Sequence, residues 1–194
     1  PQDLGVSALG LDEVERGDLA SRGMVPAHQG LEPLQRVAVA DVVDRLVHDL
    51  ELIVAEARRL GYYTNLLTSG VGLTEQRAAA LKAAGLDHVQ LSFQDSTREM
   101  NDFLSHTKTF ELKNRVAKII KDHGWPMVMN VVIHRLNIDH IGRIIEMASE
   151  LGAEYVELAN TQYYSWAFVN RAQLLPTREQ LVRAEVVTDE WRKK

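Results

Sequence analysis

The chain of 194 residues contains no cysteine. This absence excludes disulfide bonds, thiolate nucleophiles and metal sites built from thiolates. The chain also lacks an apolar run near the roughly 18 residues that a membrane span needs, and it has no basic cluster of the kind that binds nucleic acid. No secretory signal is visible at its beginning. We therefore expect a cytoplasmic protein that binds neither membranes nor nucleic acids.

The sequence also lacks the common glycine motifs that bind phosphates. No Gly-x-Gly-x-x-Gly segment and no Walker-type loop follow any apolar run, which argues against a Rossmann dinucleotide site and a P-loop. The seven histidines form no metal-binding helix motif; His134 and His140 flank a predicted strand end and helix start without a third ligand. No serine has a patterned histidine partner. We predict no metal site, and these patterns identify no catalytic residue.

Hydrophobic periodicity divides the chain into two parts. Residues 1–38 are broken repeatedly by glycine and proline and predict an irregular segment. Residues 39–194 predict one domain. It begins with a long amphipathic helix, Val39–Leu60, which ends at Gly61.

Strands and helices then alternate. The predicted strands are Tyr62–Leu67, His88–Ser92, Met127–Ile133 and Tyr155–Leu158. The predicted helices run from a cap at Thr74 to Ala84, over Phe110–His123, from a cap at Asn137 to a stop at Gly152, and from a capping box at Thr177 to about Trp191. This alternation predicts an α/β fold with a parallel sheet covered by helices, either a barrel segment or an open doubly wound sheet.

Polar residues follow the second of these strands. Ser92, Gln94 and Asp95 lie where ligands of parallel α/β proteins bind, at the carboxyl ends of strands. A hydroxyl, an amide and a carboxylate there suit a ribose or an amino-acid head group. The alternative is a structural one, in which Asp95 or Ser96 caps a local turn.

The next two strands carry further candidates. Asn130 interrupts an apolar strand, and a structural amide satisfied by a neighbouring strand is the alternative to a ligand contact. Arg135 follows that strand and suits a carboxylate, unless it is a plain surface arginine. Asn160 to Tyr164 form the densest polar and aromatic cluster, which suits either a ligand or a subunit contact.

Four segments together resemble a known family. They are Gly61 to Gly70, Val89 to Ser96, Asn130 to Asn137 and Glu157 to Tyr164. Taken in order, they resemble radical S-adenosylmethionine (SAM) enzymes, and most closely the PqqA peptide cyclases of pyrroloquinoline quinone (PQQ) biosynthesis. The similarity extends from about Asp49 to Arg192.

The resemblance implies a partial (β/α)6 radical-SAM barrel whose four strands are the third to sixth. It implies SAM and a [4Fe-4S] cluster as cofactors, and a reaction that cross-links Glu and Tyr of the PqqA precursor peptide. PqqA and its PqqD peptide chaperone are the implied partners. The implied cofactor-binding residues are Ser92, Asp95, Asn130, Arg135, Ala159 and Asn160, and the implied substrate-binding residues are Gln94, Gln162 and Tyr163.

The chain departs from the family in ways that bear on activity. The Cys-x3-Cys-x2-Cys motif and the Gly-Gly-Glu-Pro segment are missing, so we expect the cluster not to bind this chain. We expect a truncated or frameshifted product that is inactive by itself and has an exposed sheet edge prone to self-association. The alternatives are a non-catalytic remnant that binds the precursor peptide or a partner, and an unrelated (β/α) barrel lyase or isomerase.

Overall fold

The computed structural model describes residues 5–6 and 49–193. The strands are β1 (Gly5–Val6), β2 (Asn65–Thr68), β3 (His88–Phe93), β4 (Met127–Ile133) and β5 (Tyr155–Asn160). The helices are α1 (Leu50–Arg59), α2 (Glu75–Ala84), α3 (Arg98–Ser105), α4 (Phe110–Asp122), α5 (Ile141–Glu150), α6 (Ser165–Val169), α7 (Arg171–Leu174) and α8 (Arg178–Trp191), with a 3-10 turn at Ile138–His140.

The strands form one sheet in the order β1-β5-β4-β3-β2, and every described pairing is parallel. This confirms the predicted α/β fold, four parallel strands with helices as in a partial radical-SAM barrel. β1 adds a two-residue strand inside the segment predicted to be irregular. The predicted helix Val39–Leu60 is described only from Leu50; its first part lies outside the described residues.

Side chains alternate across the sheet and give it two different faces. The residues of one face are buried against the helices: Val89, Leu91, Phe93, Met127, Met129, Val131, Ile133, Val156 and Leu158. They pack with apolar residues of α2, α4 and α5, such as Leu81, Ile120 and Ile144. We call the opposite face the open face, because none of its residues is fully buried. The core therefore lies between the sheet and its helices.

Local capping explains where several helices begin and end. Thr74 Oγ1 accepts a hydrogen bond from Arg77 N at the start of α2, and Gly85 ends that helix with φ of 95°. Thr177 and Gln180 form the complete capping box predicted for α8. These polar caps satisfy backbone groups that a helix end leaves unpaired.

Helix α3 was not predicted, because its eight residues are fewer than the window over which helical periodicity is recognised. Asn101 lies on α3 with no exposed surface, and its Oδ1 accepts a hydrogen bond from Gln94 N at 3.0 Å. This buried amide anchors α3 to the end of β3. The short helices α6 and α7, which have no buried residue, were missed as well.

Asn137 does not cap α5, contrary to the prediction. Its Nδ2 donates to Val132 O and Gln94 O, both at 2.9 Å, and its Oδ1 accepts from His134 N at 2.9 Å. The side chain is fully buried. Asn137 therefore ties the end of β4 to the chain that leaves β3, and the 3-10 turn Ile138–His140 takes the place of the predicted cap.

The sheet has open hydrogen-bonding edges within the described residues. β2 pairs only with β3, and its Leu67 is 64% exposed. β1 pairs with only the first two residues of β5. Self-association through such an edge stays a prediction. None of the helices in the described ranges combines the length and apolar character that a bilayer crossing requires.

We expect Gly70→Ala to destabilise the fold more than Gly72→Ala. Both glycines have positive φ, 85° and 81°, so each substitution carries a cost of about 1–2 kcal/mol. A Cβ at Gly70 would lie 3.2 Å from Leu91 Cδ1 and 3.3 Å from Val116 Cγ1, whereas one at Gly72 meets nothing within 4 Å. Crowding therefore adds about 1–3 kcal/mol at Gly70 alone. Urea unfolding measures the difference, and equal losses would contradict this packing.

We also expect His134 to make stability depend on pH. Burial lowers the pKa of His134 from its ordinary value, and the charge of Asp95 offsets only part of that effect. The folded chain therefore binds fewer protons than the unfolded chain, so this contribution is complete above about pH 6.5 and is lost as pH falls toward the folded pKa.

The variant His134→Asn should lose less unfolding free energy between pH 7 and pH 5 than the wild type. Asn can still accept the hydrogen bond that Leu136 N donates to His134 Nδ1 at 3.2 Å. His106→Asn is the control, because His106 is exposed and its φ of 53° suits asparagine. An equal loss of unfolding free energy between pH 7 and pH 5 in wild type and His134→Asn would refute the assignment.

Candidate functional site

Three polar residues lie in one row across the open face. Ser92 of β3 is paired in register with Asn130 of β4, and Asn130 is paired with Glu157 of β5. All three are half-buried. Because the strands are parallel and side chains alternate, the three side chains emerge on the same face. The row contains Ser92 and Asn130, two of the predicted cofactor-binding residues.

The carboxylate of Glu157 connects this row. Its Oε2 accepts hydrogen bonds from Asn130 Nδ2 at 2.8 Å and from Gln90 Nε2 at 2.5 Å. Asn65 Nδ2 lies 3.5 Å from Gln90 Oε1, at the limit of a hydrogen bond. No group in residues 49–193 donates to the other oxygen, Oε1. Glu157 is therefore a partly satisfied carboxylate held by two neutral amides.

Gln90 and Glu157 were missed as site residues. A signal for them exists in the sequence, because each of β3, β4 and β5 carries a polar residue inside an apolar run. The three runs are His88 to Phe93, Met127 to Ile133 and Tyr155 to Asn160. Only the pairing register shows that these side chains meet, since Gln90 and Glu157 are 67 positions apart.

Asp95 lies outside this row, below the surface at the end of β3. It is fully buried, and its Oδ1 accepts from Thr97 N and Thr97 Oγ1 at 3.0 and 3.2 Å. Its Oδ2 lies 2.7 Å from His140 Nδ1. Both carboxylate oxygens are thus bonded within the protein, one in a local turn and one to an imidazole. Asp95 would affect a cofactor only by positioning His140, whose side chain is 39% exposed.

Arg135 contacts the chain at the end of α7, at Leu174 and Leu175. Its Nε donates to Leu175 O at 2.8 Å, its backbone N donates to Leu174 O at 2.8 Å, and its carbonyl accepts from Gln180 Nε2 at 3.0 Å. Its two Nη groups have no hydrogen bond within the described residues. The arginine anchors the segment before α8 and keeps part of its guanidinium available for a carboxylate.

The remaining predicted residues lie around the end of β5. Ala159 is half-buried on the open face, while Asn160 and Gln162 are exposed. Tyr163 is half-buried, and burial raises the pKa of its phenol despite a hydrogen bond with Thr161 and the nearby charge of Arg135. Gln94 contributes its backbone to Asn101 and Asn137. The predicted set therefore divides into the open-face row and a strand-end group. Its binding roles stay predictions.

Within residues 49–193, no three His, Asp or Glu side chains are grouped so that they could hold a metal ion. Cysteine is absent from the whole chain.

Comparison with solved structures shows a similar fold in Streptococcus suis SuiB. Streptococcus suis SuiB bound to its precursor peptide SuiA matches 73% of this chain and 32% of its own length, with 17% identity and a TM-score of 0.60. SuiB bound to S-adenosylmethionine gives a TM-score of 0.58 at the same identity. A structure of anSMEcpe with bound AdoMet and the Kp18Cys peptide covers 53% of the chain, at 19% identity and a TM-score of 0.47.

The chain spans about a third of the length of these proteins. The sequence pattern of the radical SAM superfamily matches residues 29–148, more than half of the chain. The match begins before Asp49, where the resemblance was expected to start. It replaces the alternative of an unrelated barrel: the chain belongs to the radical SAM superfamily.

Proposed function

We propose that this chain binds SAM on the open face of its sheet and contributes to the modification of a peptide. The observation that carries the proposal is the row Ser92–Asn130–Glu157, which crosses three parallel strands of a radical SAM domain. Hydroxyl and amide groups in this row suit the ribose of SAM. The Nη groups of Arg135, which have no partner among residues 49–193, suit its carboxylate through two parallel hydrogen bonds.

The superfamily implies a [4Fe-4S] cluster beside SAM, and the residues present do not fit one. Such clusters are held by cysteine thiolates, which this chain lacks entirely. The described residues offer no substitute group of three ligands. We therefore derive no radical step for this polypeptide. Without the cluster to hold the methionine amino and carboxylate groups, SAM should bind with a Kd no tighter than about 1 mM, roughly −4 kcal/mol.

The proposed reaction is that of the PqqA peptide cyclases, which cross-link Glu and Tyr of the PqqA precursor in the cytoplasm with PqqD as peptide chaperone. The four segments quoted above support this assignment. The fold shared with SuiB, crystallised with its precursor peptide, supports a peptide substrate in general. Beyond β5, the exposed Tyr164, Trp166 and Phe168 offer apolar surface on which a peptide could lie.

A second candidate is peptide binding without catalysis. The same exposed aromatic residues favour it, as does the lack of cluster ligands. Tight binding of the precursor peptide by a chain that fails to bind SAM would select this candidate over the first.

We expect a titration with SAM, monitored by NMR, to locate the site. Ser92→Ala should weaken binding about fivefold, since one hydrogen bond contributes about 1 kcal/mol. Arg135→Ala should weaken it about tenfold through the lost charge-assisted bonds. Ser149→Ala and Arg98→Ala are matched controls on exposed helix positions and should bind like the wild type. Micromolar binding that Arg135→Ala leaves unchanged would contradict the proposed site.

We further expect no cluster to assemble on this chain. Anaerobic reconstitution with iron and sulfide should produce no visible cluster absorbance, because no thiolate is available. Incubation with SAM and a strong reductant should then release no 5′-deoxyadenosine. A stoichiometric cluster together with that product would show that residues described here as structural are its ligands.

A further inference from the structure

We propose that Glu157, positioned by Gln90 and Asn130, forms a subsite for a cationic group that carries N–H donors, an ammonium or a guanidinium. This deepens the proposed function by assigning a charge preference to the open face. The preference follows from the arrangement of the three side chains and applies whether the cation belongs to SAM or to a peptide.

The first argument is the way the two amides meet the carboxylate. Asn130 Nδ2 and Gln90 Nε2 both donate to Oε2, at 2.8 and 2.5 Å. The carboxylate is therefore fixed from one side, while Oε1 has no donor from residues 49–193. A fixed oxygen with free lone pairs on a half-buried surface is a preorganised acceptor for an N–H group.

The second argument is the retained negative charge. Taking a carboxylate out of water is costly unless a cation or several donors compensate it. A glutamine at this position could accept the same two hydrogen bonds through its carbonyl oxygen without that cost. Within the described residues no Lys, Arg or His forms an ion pair with Glu157, although Glu51, Glu111 and Glu154 all have such partners. Among the residues that the structure describes, no cation compensates this charge, which leaves it available to a ligand.

The third argument is the surface beside the carboxylate. Tyr155 lies two residues before Glu157 on the same face of β5 and is 54% exposed, and Val132 on β4 is 38% exposed. An aromatic ring near a carboxylate favours a cation with an alkyl stem, because the ring attracts the charge and covers the stem. This suits the side chains of lysine and arginine and the amino-acid end of SAM.

The test compares a cation with a neutral molecule of similar shape. The full chain, labelled with nitrogen-15, is titrated with methylguanidinium and with N-methylurea while the side-chain amide signals of Gln90 and Asn130 are followed. Wild type should bind methylguanidinium about tenfold more tightly than N-methylurea. Glu157→Gln, which keeps the size and the acceptor, should lose this preference. Glu146→Gln, at an exposed position on α5, should retain it.

Parallel titrations with SAM and with a short lysine-containing peptide identify the source of the cation. A larger loss of affinity in Glu157→Gln for SAM assigns the subsite to the SAM amino group, and a larger loss for the peptide assigns it to a basic substrate side chain. If SAM does not bind but the methylguanidinium preference depends on Glu157, the proposed function fails and the subsite stands.

Equal binding of methylguanidinium and N-methylurea would overturn the inference. So would an unchanged preference in Glu157→Gln, or an equal loss in Glu146→Gln. Thermal unfolding of Glu157→Gln verifies that the fold is intact. If that variant does not fold, Gln90→Leu, which frees one side of the carboxylate while keeping its charge, should weaken methylguanidinium binding without removing the preference over N-methylurea.

Discussion

The parallel register of β3, β4 and β5 is the constraint on which the rest of this structure depends. It places the apolar members of each strand on the helix-covered face and the polar residues Gln90, Ser92, Asn130 and Glu157 on the other. Because side chains alternate with a period of two, a slip of one residue would bury Asn130 and expose Met129 or Val131. The same pairing register therefore determines both the core and the site in this fold.

The groups beyond the strands stabilise this register at the carboxyl end of the sheet. Asn137 connects the carboxyl ends of β3 and β4 through hydrogen bonds to Gln94 O and Val132 O. Asp95 forms a hydrogen bond with His140 in the 3-10 turn. Arg135 and Gln180 fasten the segment before α8 to the loop after β4. Asn137 uses both its amide donor and its carbonyl acceptor in these links, which makes the strand ends rigid. A rigid edge of this kind favours ligand binding without large rearrangement.

Much of the fold could be predicted because its strands are apolar runs between glycines and polar caps. Met127–Ile133 was predicted with the bounds the structure has, and the caps at Thr74 and Thr177 are confirmed. Helix α3 was missed because it is only eight residues long. The site was harder to predict, because a polar residue within a strand has the same appearance whether it fills space or contacts a partner. Glu157 could be identified only from the pairing register. Asp95, a carboxylate at a strand end, is buried and is bonded to Thr97 of its own loop and to His140.

The pairing of β1 with β5 has a consequence for the order in which the chain assembles. β2 to β5 are each joined to a neighbour in both sequence and space, so their contacts close short loops. Gly5 and Tyr155, in contrast, are partners separated by 150 positions, and their ladder has two residue pairs within the described residues. Closing so long a loop costs entropy that two pairs of residues hardly offset. The β1 edge should thus join late during folding and open first in native-state hydrogen exchange, while the remainder of the sheet stays protected.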